Sequence, residues 1–373
     1  MNLHIVDILI VVIYGIIILY TGFVLSRRKE NSNTSEEYIL AGRKLTLPLF
    51  VATLVATWYG SILGIGEFVY TSGIVAWICF GIPYYIAALL FAKFIAKKIR
   101  VSNASTIPEQ IANEYGNLAG KISSVIILVI TIPAVYILML GVIIQLFSGW
   151  SLEFSVVIGV IISLVYIYNG GFKADVLTNT VQFVFMYLGF GALLFFTILN
   201  FGSIPEMSNF LPETYLDFKG EYSYQYVFAW FIIAFQTFVD PSFHQRCAAA
   251  KTPETAQKGI YISVLFWLIF DFFTLTTGLY AKAFISIENP MMTFPILGEN
   301  VLPIFWKGIF VVAMISAVMS TLDSYAFISA ITIGNDLLGS SKKFLAKFKN
   351  LNTQNLTKLG LILTGIIGVI MAL

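Results

Sequence analysis

VAMISAVMSTLDSYAFISAITIGN, residues 312–335, is long and apolar enough to cross a bilayer, yet small polar groups run through its middle. At about 100° per residue, Ala317, Ser320, Thr321 and Ser324 fall on one helical stripe, with Ser316 and Asp323 along its edge. One face is therefore rich in oxygen and the rest is apolar. Hydroxyls on a membrane helix also bridge it to packed neighbours, which accounts equally well for Ser316 and Ser324. Asp323 fits that account less well, because a carboxylate near mid-membrane costs about 2.5–3.5 kcal/mol and marks ion or proton paths. An oxygen face suits a small hard cation, and the alanine leaves a backbone carbonyl open to it.

Around this stretch the chain has 373 residues, 58% hydrophobic and 11% charged, against about 25% charged for soluble domains. It reads as an all-α polytopic membrane protein. Ten apolar stretches approach the roughly 20 residues a crossing needs: near 4–25, 47–71, 74–96, 121–147, 152–168, 176–199, 224–243, 259–281, 305–335 and 357–373. The first has no small-residue cleavage motif and reads as a retained span. With the N-terminus outside, only Lys219, Lys282 and Lys307 of the 22 basic residues fall outside, Arg246 being among those inside. The positive-inside rule then sets the orientation and supports the number of spans. Cys79 lies inside an apolar span and Cys247 in a loop, so there is no disulfide framework. His4 and His244 are too few and too far apart for a histidine metal site. Nothing in the composition supports nucleic-acid binding.

Between the third and fourth spans, Thr106 and Glu109 form a capping box with Pro108 in the first turn, which predicts a short cytoplasmic helix. Segments 200–223 and 282–304 carry Pro, Gly, Asn and acidic residues and read as extracellular loops that fold over the mouth of a pathway. No linker divides the chain, so residues 1–373 read as one membrane domain. Two spans look broken. In ATWYGSILGIGEFVYTSG (56–73), Gly60, Gly64, Gly66 and Gly73 stand among Thr57, Ser61 and Glu67, and glycines lower the cost of leaving helical geometry. In AFQTFVDPSFHQR (234–246), Gln236 and Thr237 sit mid-span before Asp240 and Pro241. Broken helices at matching places in two halves point to a transporter binding site, and five spans between them is an odd number, so the repeat is inverted.

These pieces together resemble the sodium/solute symporter family. The matching segments are EEYILAGRKL (36–45), ATWYGSILGIGEFVYTSG (56–73), TIPEQIANEYG (106–116), NGGFKADVLTNTVQ (169–182), DPSFHQRCAAAKTPETAQKG (240–259) and AVMSTLDS (317–324). The resemblance implies two inverted five-helix repeats behind one extra N-terminal helix, the first over about 47–199 and the second over about 224–373. It implies a sodium ion held by the carbonyls of Ala56, Tyr59 and Ala317 and the hydroxyls of Ser320 and Thr321. Asp323, Ser324 and Asn179 are accessory candidates. The substrate is expected beside the ion, against Thr57, Trp58, Glu67, Gln236 and Asp240. Three departures stand out: the segment from Ala56 to Tyr70 is about two residues short, Asn179 replaces the acid of a T-D-x-x-Q pattern, and the last core helix is missing.

The resulting expectation is sodium-coupled symport of a small polar organic solute by alternating access. It places the chain, multi-pass, in a plasma or inner membrane, with the lipid bilayer, sodium and the solute as its partners and no obligatory protein partner. The alternative is a sodium channel or a non-transporting solute sensor on the same scaffold; solute accumulation against a gradient separates them. An enzyme is not expected. Asp271 and Asp323 sit in no protease-like pattern, and Ser320 has no intramembrane histidine as a base. Asp271, in WLIFDFF, is a further buried acid, either packed against a hydroxyl or functional.

Overall fold

The computed structural model describes residues 3–26, 35–340 and 352–373, in which every regular element is helical. Eight of its helices are long and apolar enough to cross a membrane; one of these holds two of the ten expected stretches, and the second expected stretch, not among the eight, is a pair of shorter helices. α1 is Ile5–Leu25. The second expected span is two helices, α2 (Leu47–Ala56) and α3 (Ile62–Ser72), separated by a non-helical break. α4 is Val75–Ser102, α5 the short Ile107–Tyr115 and α6 Asn117–Ser148. α7, Leu152–Phe201, holds both the fifth and sixth spans, divided at Gly171, where φ is 58° and ψ −148°. On a straight helix Ser163 and Asn179 would stand about 24 Å apart. Here they reach adjacent residues, Ser163 bonding Asp323 and Asn179 bonding Ser324, so α7 folds back on itself.

The seventh span runs through Tyr224–Ala249 as α8 (Tyr224–Ile233), a tight stretch Ala234–Val239, and α9 (Pro241–Ala249). Asp240 starts α9 by accepting from the amides of Ser242 and Phe243, a side-chain cap for otherwise orphaned donors. Arg246 and Cys247, expected in a loop, are therefore fully buried on α9. His244, on the same helix, lies within the span as well. α10 is Pro253–Phe284, α11 Trp306–Leu338 and α12 Thr353–Ala372.

α11 is the axis of the fold. Of its most apolar window 83% is buried inside the protein, against 22% for α1. Its first turn is fastened by Asp7 of α1, whose carboxylate accepts from the amides of Phe305 and Gly308 at 2.9 Å each. A buried acid at that end satisfies donors and suits the positive pole of the helix. The box at Thr106 does start α5, with the amide of Glu109 donating to the threonine hydroxyl at 3.1 Å. Segment 200–223 contains short helices and packs against the end of α3, where the Tyr215 hydroxyl donates to the carbonyls of Tyr70 and Thr71. The motif pieces at 36–45 and 240–259 join through one parallel bridge, Leu45 with Ala250, and through Arg43 to the carbonyl of Ala248. Arg27, Arg28, Lys29, Lys342, Lys343, Lys347 and Lys349, which weigh on the expected orientation, lie outside the described residues.

Candidate functional site

The break between α2 and α3 lies directly against the middle of α11. α2 ends where the Trp58 amide bonds three residues back to the carbonyl of Val55, the Thr57 amide having made the last regular bond, to Thr53. Its last carbonyls are thereby freed, and they carry the negative pole of the helix. α11 supplies hydroxyls to them. Ser320 Oγ lies 2.8 Å from the Ala56 carbonyl and 3.1 Å from that of Ala317. Thr321 Oγ1 lies 2.9 Å from the Thr57 carbonyl and 3.3 Å from that of Ala317. The approach depends on Gly60: a Cβ there would stand 2.5 Å from Cβ of Thr321. Ala56, Ala317, Ser320 and Thr321 thus come together as a buried set of neutral oxygens, joined by the Thr57 carbonyl, which sequence reasoning did not assign to it. Tyr59 also sits buried in the break.

Its side chain leads elsewhere. The Tyr59 hydroxyl donates to Asp271 Oδ1 on α10 at 2.8 Å, and Tyr85 of α4 donates to Oδ2. Asp271 lines a cavity of about 250 Å³ together with Ser61, at the end of the break, and Gly64, in the first turn of α3. Trp58, within the break, does not line this cavity and packs with its ring 5.1 Å from that of Trp267 and 5.3 Å from that of Tyr84. The other expected pocket groups are spread out. Glu67 is exposed and does not line this cavity. Gln236 is exposed and donates to the Tyr84 hydroxyl. The second oxygen of Asp240, beyond its capping role, accepts from Tyr325 at 3.0 Å. Gln236 and Trp58 thus share Tyr84 as a partner, while Glu67 faces away from the cavity and Asp240 is engaged with Tyr325 and its own helix cap.

One turn along α11 the surroundings change. Arg246, fully buried, places Nη2 2.7 Å from Ser324 Oγ, 2.8 Å from Thr57 Oγ1 and 3.0 Å from Thr53 Oγ1. Asp175 of α7 faces it at 3.6 Å and accepts from Ser324. The Asn179 amide reaches Thr53, Asp175 and Ser324. The accessory candidates Ser324 and Asn179 thus belong to a group already centred on a guanidinium. Asp323 turns away from the oxygen set altogether and accepts from Ser163 and Tyr166. Sequence reasoning missed Arg246 and Asp175. The available signal was a pair of opposite charges flanking apolar segments, which in lipid find each other.

The architecture and sequence both have counterparts among known proteins. A sodium-coupled sialic acid symporter, solved with substrate in an outward-open state, superposes with a TM-score of 0.83 at 15% identity, covering all of this chain and 82% of that one. A nucleobase-cation-symport-1 family transporter superposes with a TM-score of 0.63 at 15% identity, over 92% of this chain and 74% of that one. In sequence the chain is 23% identical to a high-affinity choline transporter of Drosophila melanogaster, over its whole length but 62% of the relative's. It is 27% identical to a sodium/pantothenate symporter of Haemophilus influenzae, over 83% of this chain and 68% of that protein. The model of the sodium:solute symporter family matches residues 38–373, and the chain belongs to that family.

Proposed function

We propose that this protein carries a small polar organic solute across the membrane together with sodium, by alternating access. The observation that carries the reading is the oxygen set at the break, where the carbonyls of Ala56 and Thr57 meet the hydroxyls of Ser320 and Thr321 at 2.8 and 2.9 Å. The oxygens are neutral, buried and backed by a helix C-terminus, which is the chemistry a monovalent hard cation requires. For an ion with oxygen bonds of about 2.4 Å, neighbouring ligands stand about 3.4 Å apart. Binding therefore pulls each hydroxyl a few tenths of an ångström off its carbonyl and fixes the position of the break relative to α11. Tyr59 carries that ordering onward, since its backbone lies in the break and its side chain holds Asp271 at the cavity.

Coupling follows if sodium favours the conformation that binds solute, a statement about differential affinity. The driving force is about 2.3 kcal/mol per charge per 100 mV. The N-terminus is placed outside in this proposal, on the partition of Lys and Arg. The matched relatives are named for solutes as different as choline and pantothenate, so their names select no solute here. Replacing Ser320 and Thr321 together by Ala tests the site. Sodium-driven uptake into vesicles is expected to vanish while the protein still inserts and folds, because two of the oxygen ligands are gone. Undiminished sodium-driven uptake in the double variant refutes the assignment.

A further inference from the structure

The cavity beside the break has a composition that selects among solutes. Asp271 is the one ionisable side chain among its described lining residues. Both of its oxygens accept from tyrosine hydroxyls, Tyr59 on one side and Tyr85 on the other, and Tyr85 in turn accepts from the Trp77 indole at 3.2 Å. The carboxylate is thus held in a fixed orientation at the cavity wall. The same cavity is lined by rings: Phe68 and Phe80 each pack on Trp230, with centroids 6.0 and 5.6 Å from it, and Trp77 completes the wall. All four are half-buried.

An anionic solute entering this space meets a carboxylate with no lining cation to offset it. A sugar-like solute needs many hydrogen-bonding partners, and beyond Asp271 the wall offers the hydroxyls of Ser61 and Thr274. The Thr274 hydroxyl is already directed at the carbonyls of Phe270 and Asp271. A cation meets the opposite situation. Its charge offsets that of a desolvated carboxylate, and aromatic faces attract it, most strongly where water is excluded. We infer that the solute of this protein is a small organic cation, an alkylammonium compound, seated between Asp271 and the rings of Phe68, Trp77, Phe80 and Trp230. The inference rests on the symport reading above, of which it names the substrate class.

The test holds shape constant and varies charge. Tetramethylammonium, tert-butanol and pivalate are compact branched groups of similar size that are positive, neutral and negative. Their binding to the purified full chain is measured by competition and by thermal shift, in sodium and again in potassium buffer. Tetramethylammonium is expected to bind at least about tenfold more tightly than tert-butanol, with pivalate weakest. Asp271→Asn is expected to remove most of that preference, and Trp230→Leu to weaken the cation more than the neutral compound. The charge series needs no variant, so a variant that fails to fold leaves the outcome readable. Equal or tighter binding of tert-butanol or pivalate, or no binding of tetramethylammonium at millimolar concentration, overturns the inference. Cation binding that is the same in sodium and potassium upholds it while removing the sodium coupling; sodium-dependent binding of a neutral or anionic solute does the reverse.

Discussion

Two polar regions lie one turn apart on α11, and they are built on opposite principles. At Ala317, Ser320 and Thr321 the partners are neutral carbonyls from a helix that has been interrupted. At Ser324 the partners are a guanidinium and a carboxylate from two other helices. The first region brings oxygens together with no fixed charge among them. The second contains its own cation, and its hydroxyls already serve it. A small-residue stripe on a membrane helix can thus contain a place suited to a mobile ion and a place closed by a tethered one. What separates them is the charge on the facing helices, which a helical wheel does not display.

The strongest way to break this comparison is to remove the tethered cation. Arg246→Ala leaves Asp175 buried without its partner, a change that costs about 3–5 kcal/mol when a buried pair is cut on one side. The purified variant is expected to melt at a much lower temperature. Arg246→Met combined with Asp175→Leu is expected to recover at least half of the loss, since no charge is left stranded. If Arg246→Ala melts like the unaltered protein, the guanidinium is not what closes the second region.

A smaller effect is expected from closing the first region by bulk. Gly60→Ala puts a methyl group 2.5 Å from Cβ of Thr321, and overpacking of this kind costs about 1–3 kcal/mol. Because the backbone must retreat from α11, sodium-driven uptake is expected to fall further than stability does. Gly15→Ala on α1 is the control, since nothing lies within 4 Å of a Cβ there and it does not line the cavity, and its melting temperature and uptake are expected to change little. Equal uptake by the two variants in a vesicle assay would show that the break need not touch α11.

Much of this was readable in the sequence. The polytopic helical architecture, the two broken spans and the stripe on α11 follow from length, glycine placement and helical period, all of which are local properties. Span two breaks where Gly60 permits it, and span seven where Asp240 caps a new helix. What escaped depends on distant partners. Arg246 follows Asp240, Pro241 and polar residues, so it reads as the start of a loop and counts among the inside charges. Its place is set instead by Asp175, which sequence shows only as part of a turn-like segment after two glycines. Glu67 shares a helix with the cavity-lining Gly64 but faces outward, because neighbours, and not composition, decide which side of a glycine-rich helix is covered.

Asp323 is the narrowest test of the boundary between the two regions. By helical period it sits three residues after Ser320 and next to Ser324, where a negative charge could draw a cation toward or away from the oxygen set. In the structure the carboxylate is occupied elsewhere, with Ser163 donating to one oxygen and Tyr166 to the other, both from the first arm of α7. Asp323→Asn keeps the shape and one accepting oxygen but presents an amide to the second donor, so one charge-assisted hydrogen bond is lost. Bonds to charged groups contribute about 1.5–3 kcal/mol, and asparagine retains part of that. A modest drop in melting temperature is therefore expected, with the sodium concentration needed for half-maximal uptake unchanged. Adding Asn179→Asp then brings no recovery of sodium affinity, because none was lost; it places a second acid beside Asp175 and lowers stability further. A weaker response to sodium in Asp323→Asn, with melting unaffected, would move Asp323 to the ion's side of the boundary and join the two regions into one site.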